Sequence, residues 1–457
     1  MKLLPSFTRS LILASATGFG VTGCTLAPST AEKQTRDQVA QIGAELHANR
    51  TERSLPNLTP ASPLADYVRF AALNHPQVEA AYQEWRASVA AIAPTRALPD
   101  PQLTFEADIS NTLMTLMPGL MFDVMTPGKR IAMGNEAIGS ANIAYRTYLA
   151  TVLSVAANVR KASIELVYID EALRLREASI AALDQAAAVA NADYVTGRGM
   201  NTLESQVRLA NDVAKVRSEL AALGDRQSAA RARFKSALGL KRSDSDPAWP
   251  HLTLAATALP SDDELWQRAR ASNPELGRMR AMVEMAVAGV GVARKASTPD
   301  FTVGAMADLK ADPLMVRPTA TLALPIWREK IRANITTAEA RRDAAAARVS
   351  AEEINLAAEL AQMLYMVRES DRMIAYIDTF ALPNYERAIA SIEAAYQSGM
   401  TSPAMIPETR VMALAMRLER IAALRDRENA VTDLLLMTAN VAPDGAALLT
   451  ESATPAR

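Results

Sequence analysis

Four short stretches of the chain alternate apolar and polar residues with a period of two. Leu103, Phe105, Ala107 and Ile109 interleave with Gln102, Thr104, Glu106 and Asp108, and Leu120, Phe122 and Val124 with Met121, Asp123 and Met125. Farther along, Phe301, Val303, Ala305, Ala307 and Leu309 interleave with Thr302, Gly304, Met306, Asp308 and Lys310. Ala320, Leu322 and Leu324 do the same with Thr319, Thr321 and Ala323. Alternation of this kind puts one residue type on each face of a strand. It predicts four strands, with turns at the proline-bearing stretches Met117-Pro118 and Asp312-Pro313.

Between the strands the period changes to that of helices. From Lys129 to about Ala192 there is no proline, and about 60 residues at 1.5 Å rise reach about 90 Å. Val152, Val155, Val159, Ala162, Leu166, Ile169 and Leu173 step by three and four, as in a coiled-coil seam. Val213, Val216, Leu220 and Leu223 repeat the pattern on a return helix, and Leu356, Leu360, Met363 and Val367 on a second long one. That helix is expected from about Arg328 to Leu382, where Pro383 should break or kink it.

The chain also repeats itself at long range. His75-Pro76 is echoed by Asn273-Pro274 and Pro101-Gln102-Leu103 by Pro299-Asp300-Phe301, both offset by 198 (273 − 75 and 299 − 101). Tyr194-Val195-Thr196-Gly197 is echoed by Tyr396-Gln397-Ser398-Gly399, offset by 202 (396 − 194). The expected organisation is a leader at 1–23, a tether or peripheral wrap at 24–63, a first repeat at 64–258, a second at 259–440 and a tail at 441–457. The expected fold class is mainly α with a small β part.

Composition narrows the function. Lys and Arg number 49 against 50 Asp and Glu, a net charge of −1 that offers no footprint for nucleic acid. Aromatic residues make up 5% of the chain, and much of its apolar content is alanine, which favours closely packed long helices. Lys2 and Arg9 precede the short apolar run Leu11-Ile12-Leu13-Ala14, an export signal too short to span a bilayer. Val21-Thr22-Gly23-Cys24 then resembles the bacterial lipoprotein signal, and Cys24 is the single cysteine. The resemblance implies lipidation (palmitate) at Cys24, and Thr25 in the next position carries no inner-membrane retention signal.

No run of about 20 apolar residues follows, so a membrane crossing would have to be made by strands. Alternating strands fit either a half-buried soluble sheet or a barrel with lipid outside and water inside. Four strands cannot close a barrel, and open edges in hydrocarbon leave backbone groups unpaired at several kcal/mol each. A membrane reading therefore requires oligomerisation. Eight strands leave an interior that side chains largely fill, so a conducting pore favours three chains or more.

His75-Pro76, Leu98-Pro99-Asp100-Pro101, Thr126-Pro127-Gly128-Lys129-Arg130, Ala323-Leu324-Pro325-Ile326 and the paired Tyr-x-x-Gly turns together resemble the TolC-type outer-membrane efflux protein family, from about Leu64 to Asn440. The resemblance implies a homotrimer whose four strands per subunit make a 12-stranded transmembrane β-barrel continued by an α-barrel of coiled-coil hairpins. It also implies the exit duct of a tripartite pump in the outer membrane. Its partners would be outer-membrane lipid, a periplasmic adaptor (membrane fusion) protein and an inner-membrane transporter of the RND type.

By the same resemblance Tyr194, Gly197, Gly199, Tyr396 and Gly399 mark the periplasmic tips, where an adaptor docks. Arg198, Glu204, Glu408 and Arg410 are nearby charges that could form a gate. Asp108, Asp123 and Asp308, on the polar strand faces, would line the lumen of a barrel. The 20 methionines invite a soft-metal reading, but Met363, Met366, Met373, Met412 and Met416 lie at helical spacing and read as seam fillers. Pro127-Gly128-Lys129 resembles the heavy-metal branch of the family. His47, His75 and His251 are far apart, and no nucleophile motif or phosphate loop is present. Neither an enzyme nor a cofactor is expected. A duct for type I protein secretion and a non-conducting periplasmic coiled-coil scaffold are the competing readings.

Overall fold

The computed structural model describes residues 27–47, 57–109, 113–196, 203–398, 400 and 405–438, without 253 and 255. The elements are α1 (Thr30–His47), α2 (Leu64–Asn74), α3 (Pro76–Ala90), α4 (Ile92–Arg96), β1 (Gln102–Ile109), β2 (Leu113–Val124), α5 (Pro127–Thr196) and α6 (Leu203–Ala237). There follow α7 (Asp262–Ser272), α8 (Pro274–Lys295), β3 (Asp300–Asp308), β4 (Met315–Ala323), α9 (Arg328–Tyr376), a π-helical turn (Ile377–Ala381), α10 (Leu382–Gln397) and α11 (Met405–Thr438). A pair of helices, a pair of strands, one very long helix and a return helix thus occur twice in the same order.

The chain divides into two compact units. One comprises 1–43, 82–146 and 278–350, and holds the sheet; the other comprises 44–81, 147–277 and 351–457.

In the first unit the four strands form one antiparallel sheet in the order β1-β2-β3-β4. The turn expected at Met117-Pro118 is not there. β2 runs through it, and Pro118 pairs with Phe105 of β1. A proline cannot donate to a ladder, and the β2–β3 register begins only at Gly119, so Pro118 sits where β2 is registered with β1 alone. Pro318 lies on the edge strand β4, where a proline is also tolerated. The second expected turn, at Asp312-Pro313, does fall between β3 and β4.

The polar stretch expected to be a tether or peripheral wrap contains the packed helix α1. Its Val39 and Ile42 are buried, the Tyr82 hydroxyl donates to the Val39 carbonyl at 3.1 Å, and Glu32, 1% exposed, accepts from Arg96 Nε at 2.8 Å. Arg96 in turn offers its backbone carbonyl to Arg130 Nε at 2.9 Å. Two guanidinium groups, those of Arg36 and Arg96, face this buried carboxylate and pair with it.

In the second unit the seams are as the spacing predicts. Val152, Val155, Val159, Leu166 and Ile169 are buried on α5 and Val213 and Val216 on α6. Leu360, Leu364 and Val367 of α9 pack with Leu265 of α7 and with Ala430, Val431 and Leu434 of α11, and Met363 joins that core. Met366, Met373 and Met412, read from spacing as seam fillers, are instead exposed. Three- and four-residue steps define a stripe, but a helix contacted on one side buries only part of it.

The two repeats are closed by matching bonds. Asn74 Nδ2 donates to the Leu238 carbonyl at 3.1 Å and Asn273 Nδ2 to the Met437 carbonyl at 3.3 Å, each joining the start of a repeat to the end of its return helix. Gly239, at φ 76°, ends the first return helix; a Cβ there would lie 2.7 Å from His75 Cα, so both its conformation and its close approach select glycine.

Pro383 does not break the second long helix. The Leu382 N–H bonds the Ile377 carbonyl, a five-residue step, and α10 continues with Pro383 in its first turn. The wider π turn accommodates the missing N–H and the ring that would strike the carbonyl four residues back.

Candidate functional site

The register assembles one face of the sheet from Leu103, Phe105 and Ala107, from Pro118, Leu120, Phe122 and Val124, from Phe301, Val303, Ala305 and Ala307, and from Val316, Pro318, Ala320 and Leu322. The opposite face carries Thr104 and Glu106, Met121 and Asp123, Thr302 and Met306, and Arg317, Thr319 and Thr321. A soluble sheet would bury the first face. Here Phe105 is 69% exposed, Leu103 65%, Val316 60% and Leu322 55%, whereas Met117 and Asp308 on the polar face are each 5% exposed. β1 and β4 are free edges of this open sheet. Strands of 8, 12, 9 and 9 residues are near the roughly 9–11 residues that span a bilayer with tilt.

The acidic residues expected on the polar face are there. Asp123 accepts from Gln102 Nε2 at 3.2 Å and from Thr302 Oγ1 at 2.5 Å, bonds that cross three adjacent strands. Asp308 lies 3.6 Å from Arg317 Nη2 and accepts from the Lys310 N–H at 3.1 Å. Asp108 pairs with Thr115 in the strand register, and its side chain lies outside the described residues. Arg317, the cation beside these acids, was not singled out from sequence; its place opposite Met306 on the polar face was readable from the period of β4.

Cys24, Gly197, Arg198, Gly199 and Gly399 lie outside the described residues. Of the other tip residues, Tyr194 and Tyr396 are 51% and 48% exposed. Around them Val195, Leu203, Val207, Met400 and Met405 are exposed as well, an apolar surface at the hairpin ends. Glu204 is exposed in the first turn of α6.

The remaining two gate candidates are engaged within the chain. Glu408 accepts from Arg208 Nη2 at 2.9 Å, which joins the two return helices, and Arg410 lies 3.4 Å from Glu393 across the second hairpin. Sequence reading missed Arg208. The signal was its separation of 200 from Glu408 (408 − 208), close to the repeat offset.

A buried ionic cluster was also missed. Arg160 of α5, 7% exposed, donates to Glu428 Oε2 and to Thr432 Oγ1, both at 3.0 Å. Arg427 donates to the other oxygen of Glu428 at 2.7 Å, to Asp371 of α9 at 2.6 Å and to the Thr257 carbonyl at 3.0 Å. Glu428, 2% exposed, also accepts from the Thr257 N–H and hydroxyl at 3.0 and 2.8 Å. Every partner is hydrogen-bonded, as burial of charge requires. The cluster ties the connection between the repeats to α5, α9 and α11.

His75 lies beside a cleft of about 730 Å³ that Lys161, Glu165, Arg226 and Arg233 also line. Burial lowers its pKa from the ordinary histidine value, against a smaller opposing effect of its bond with the Ser236 backbone. Two of the cations have partners of their own: Lys161 pairs with Asp433 at 2.6 Å and Arg226 with Glu165 at 2.7 Å. Among the described residues no group of three or more His, Cys, Asp or Glu is placed to hold a metal ion, and no helix is long and apolar enough to cross a membrane.

Residues 265–440, from α7 through α11, match the family model described as outer membrane efflux protein. The matched span is most of the second repeat. The chain is 25% identical over 328 residues to the cobalt-zinc-cadmium resistance protein CzcC of Cupriavidus metallidurans, covering 70% of this chain and 77% of the relative. Its fold is that of solved outer-membrane channels. It matches CusC with a TM-score of 0.69 at 16% identity, over 83% of this chain and 93% of that one. It matches the open state of the MtrE outer membrane channel of Neisseria gonorrhoeae with a TM-score of 0.69 at 16% identity, over 84% and 89%. The fold class read from the sequence, long helical hairpins with four strands, is the observed one.

Proposed function

We propose that this chain is one subunit of a passive exit duct in the outer membrane, serving a tripartite pump that exports metal ions or small molecules. The observation that carries the reading is the inverted sheet. An exposed apolar face, Met117 and Asp308 buried on the polar face, and two free edges suit lipid on one side, water on the other and further strands at each edge. Three chains would supply twelve strands and no edge. The exposed apolar surface at Tyr194, Val195, Tyr396 and Met400 would receive a periplasmic adaptor, with an inner-membrane transporter behind it. Cys24 would carry the lipid anchor. The acidic polar face, with Glu106, Asp123 and Asp308, would favour cations in the lumen. The resistance named for CzcC supports metal ions as the cargo.

The test is purification of the full chain from outer membranes, followed by gel mobility before and after heating and by current recording in planar bilayers. A heat-sensitive trimer with cation-selective conductance is expected. A monomer that passes no current overturns the duct and favours a periplasmic scaffold.

A further inference from the structure

The polar face of the sheet contains an arrangement that its charges do not explain. The register sets Met306 opposite Gly119 and Met121 opposite Gly304. A Cβ built on Gly119 would lie 2.6 Å from Met306 Cγ, and one on Gly304 would lie 2.9 Å from Met121 Cγ. Each methionine therefore lies flat across the neighbouring strand, over a glycine. Glycine weakens a strand and marks a close approach; here the approach is made by a thioether side chain from the next strand, twice and reciprocally. Met117, two residues before Gly119 and 5% exposed, points to the same face. Met306 is thus the diagonal neighbour of both Met117 and Met121, a spacing of about 7–8 Å that long side chains bridge.

Oxygen donors stand at the same place. Thr104 Oγ1 is 2.9 Å from the Gly119 Cβ position, and it and Thr319 Oγ1, opposite Gly304, have no hydrogen-bond partner among the described residues. The charged groups of the surrounding rows are Glu106 opposite Met117, Asp308 opposite Met315, Asp123 beside Met121, and Arg317 opposite Met306. Arg317 faces Asp308 at 3.6 Å, which leaves the band with a surplus of negative charge.

We propose that Met117, Met121 and Met306 form a weak binding site for a soft monovalent cation of the silver(I) or copper(I) class. Thioethers suit such ions. They carry no proton to displace, so binding at this site would be independent of pH where histidine or cysteine sites are not. Neutral donors also bind weakly enough to release cargo, as a conduit requires. The proposal rests on the reading that the polar face lines the duct.

The experiment titrates silver(I) into the purified full-length protein in chloride-free buffer, beside a variant carrying Met117→Leu, Met121→Leu and Met306→Leu. Leucine keeps volume and apolarity while removing sulfur. The variant is expected to take up about one silver ion fewer per chain, and X-ray absorption of the wild type to show sulfur neighbours that the variant loses. A control with Met366→Leu, Met373→Leu and Met412→Leu, all exposed on helices, should keep that signal. Bilayer conductance is measured on every preparation. Equal silver uptake by wild type and strand variant, with conductance intact, overturns the site and leaves the duct standing. A silver difference without conductance in any preparation supports the site while overturning the duct.

Discussion

The sheet and the helical hairpins of this chain obey opposite rules. In the hairpins, Ile169, Leu356, Val431 and Leu434 are between 0 and 2% exposed. In the sheet, Leu103, Phe105, Val316 and Leu322 are more than half exposed, and it is Met117 and Asp308 that are hidden. Both regions have clean amphipathic periods. What differs is the medium that each apolar face meets: a packed neighbour of the same chain in one case, and a surface that this chain does not supply in the other. A strong period therefore reports that two media exist, without saying which is water.

Three substitutions test that contrast. The largest effect is expected from Glu428→Ala in the helical region, which leaves Arg160 and Arg427 buried without their shared carboxylate. Breaking a buried pair by removing one partner costs about 3–5 kcal/mol, to be read as a lowered unfolding midpoint in denaturant. Next is Val303→Arg, on the exposed apolar face of the sheet. If that face meets lipid, a cost of about 2–4 kcal/mol follows, seen as loss of assembled trimer from the outer membrane. Thr321→Arg, on the other face, should keep the trimer and shift ion selectivity. A neutral result for Val303→Arg, within about 0.5 kcal/mol as on ordinary water-facing surfaces, would collapse the contrast.

The smallest effect concerns His75. Its folded pKa lies below the unfolded value, so the unfolded chain binds the extra proton first, and stability falls as pH drops from about 6.5 through the folded pKa. His75→Asn, which copies the Asn273-Pro274 of the second repeat, should flatten that slope between pH 7 and pH 5 without changing stability at pH 7. An unchanged slope would assign the acid sensitivity elsewhere.

Some errors of reading have local physical causes. Pro118 looked like a turn because proline usually ends strands; it lies inside β2 because the β2–β3 register starts only after it. A break or kink is expected at Pro383, and one π turn before it keeps the helix going. The stretch read as a tether or peripheral wrap contains α1, whose Val39, Ile42 and Leu46 lie three and four residues apart among polar neighbours. The partners of two gate candidates, Arg208 for Glu408 and Glu393 for Arg410, were not legible because they lie 200 and 17 residues away (408 − 208 and 410 − 393).

By itself the sequence determined the four strands, the face on which each strand residue lies, the long helices with their seams, and the twofold repetition of the whole plan. These follow from periods of 2 and about 3.6, which act over a few residues and survive any packing. The tertiary structure alone decided which strand face is exposed, that Arg160 meets Glu428 across 268 residues, and that Met306 lies over Gly119. Those depend on register and on which segments become neighbours, and a local period carries no information about either.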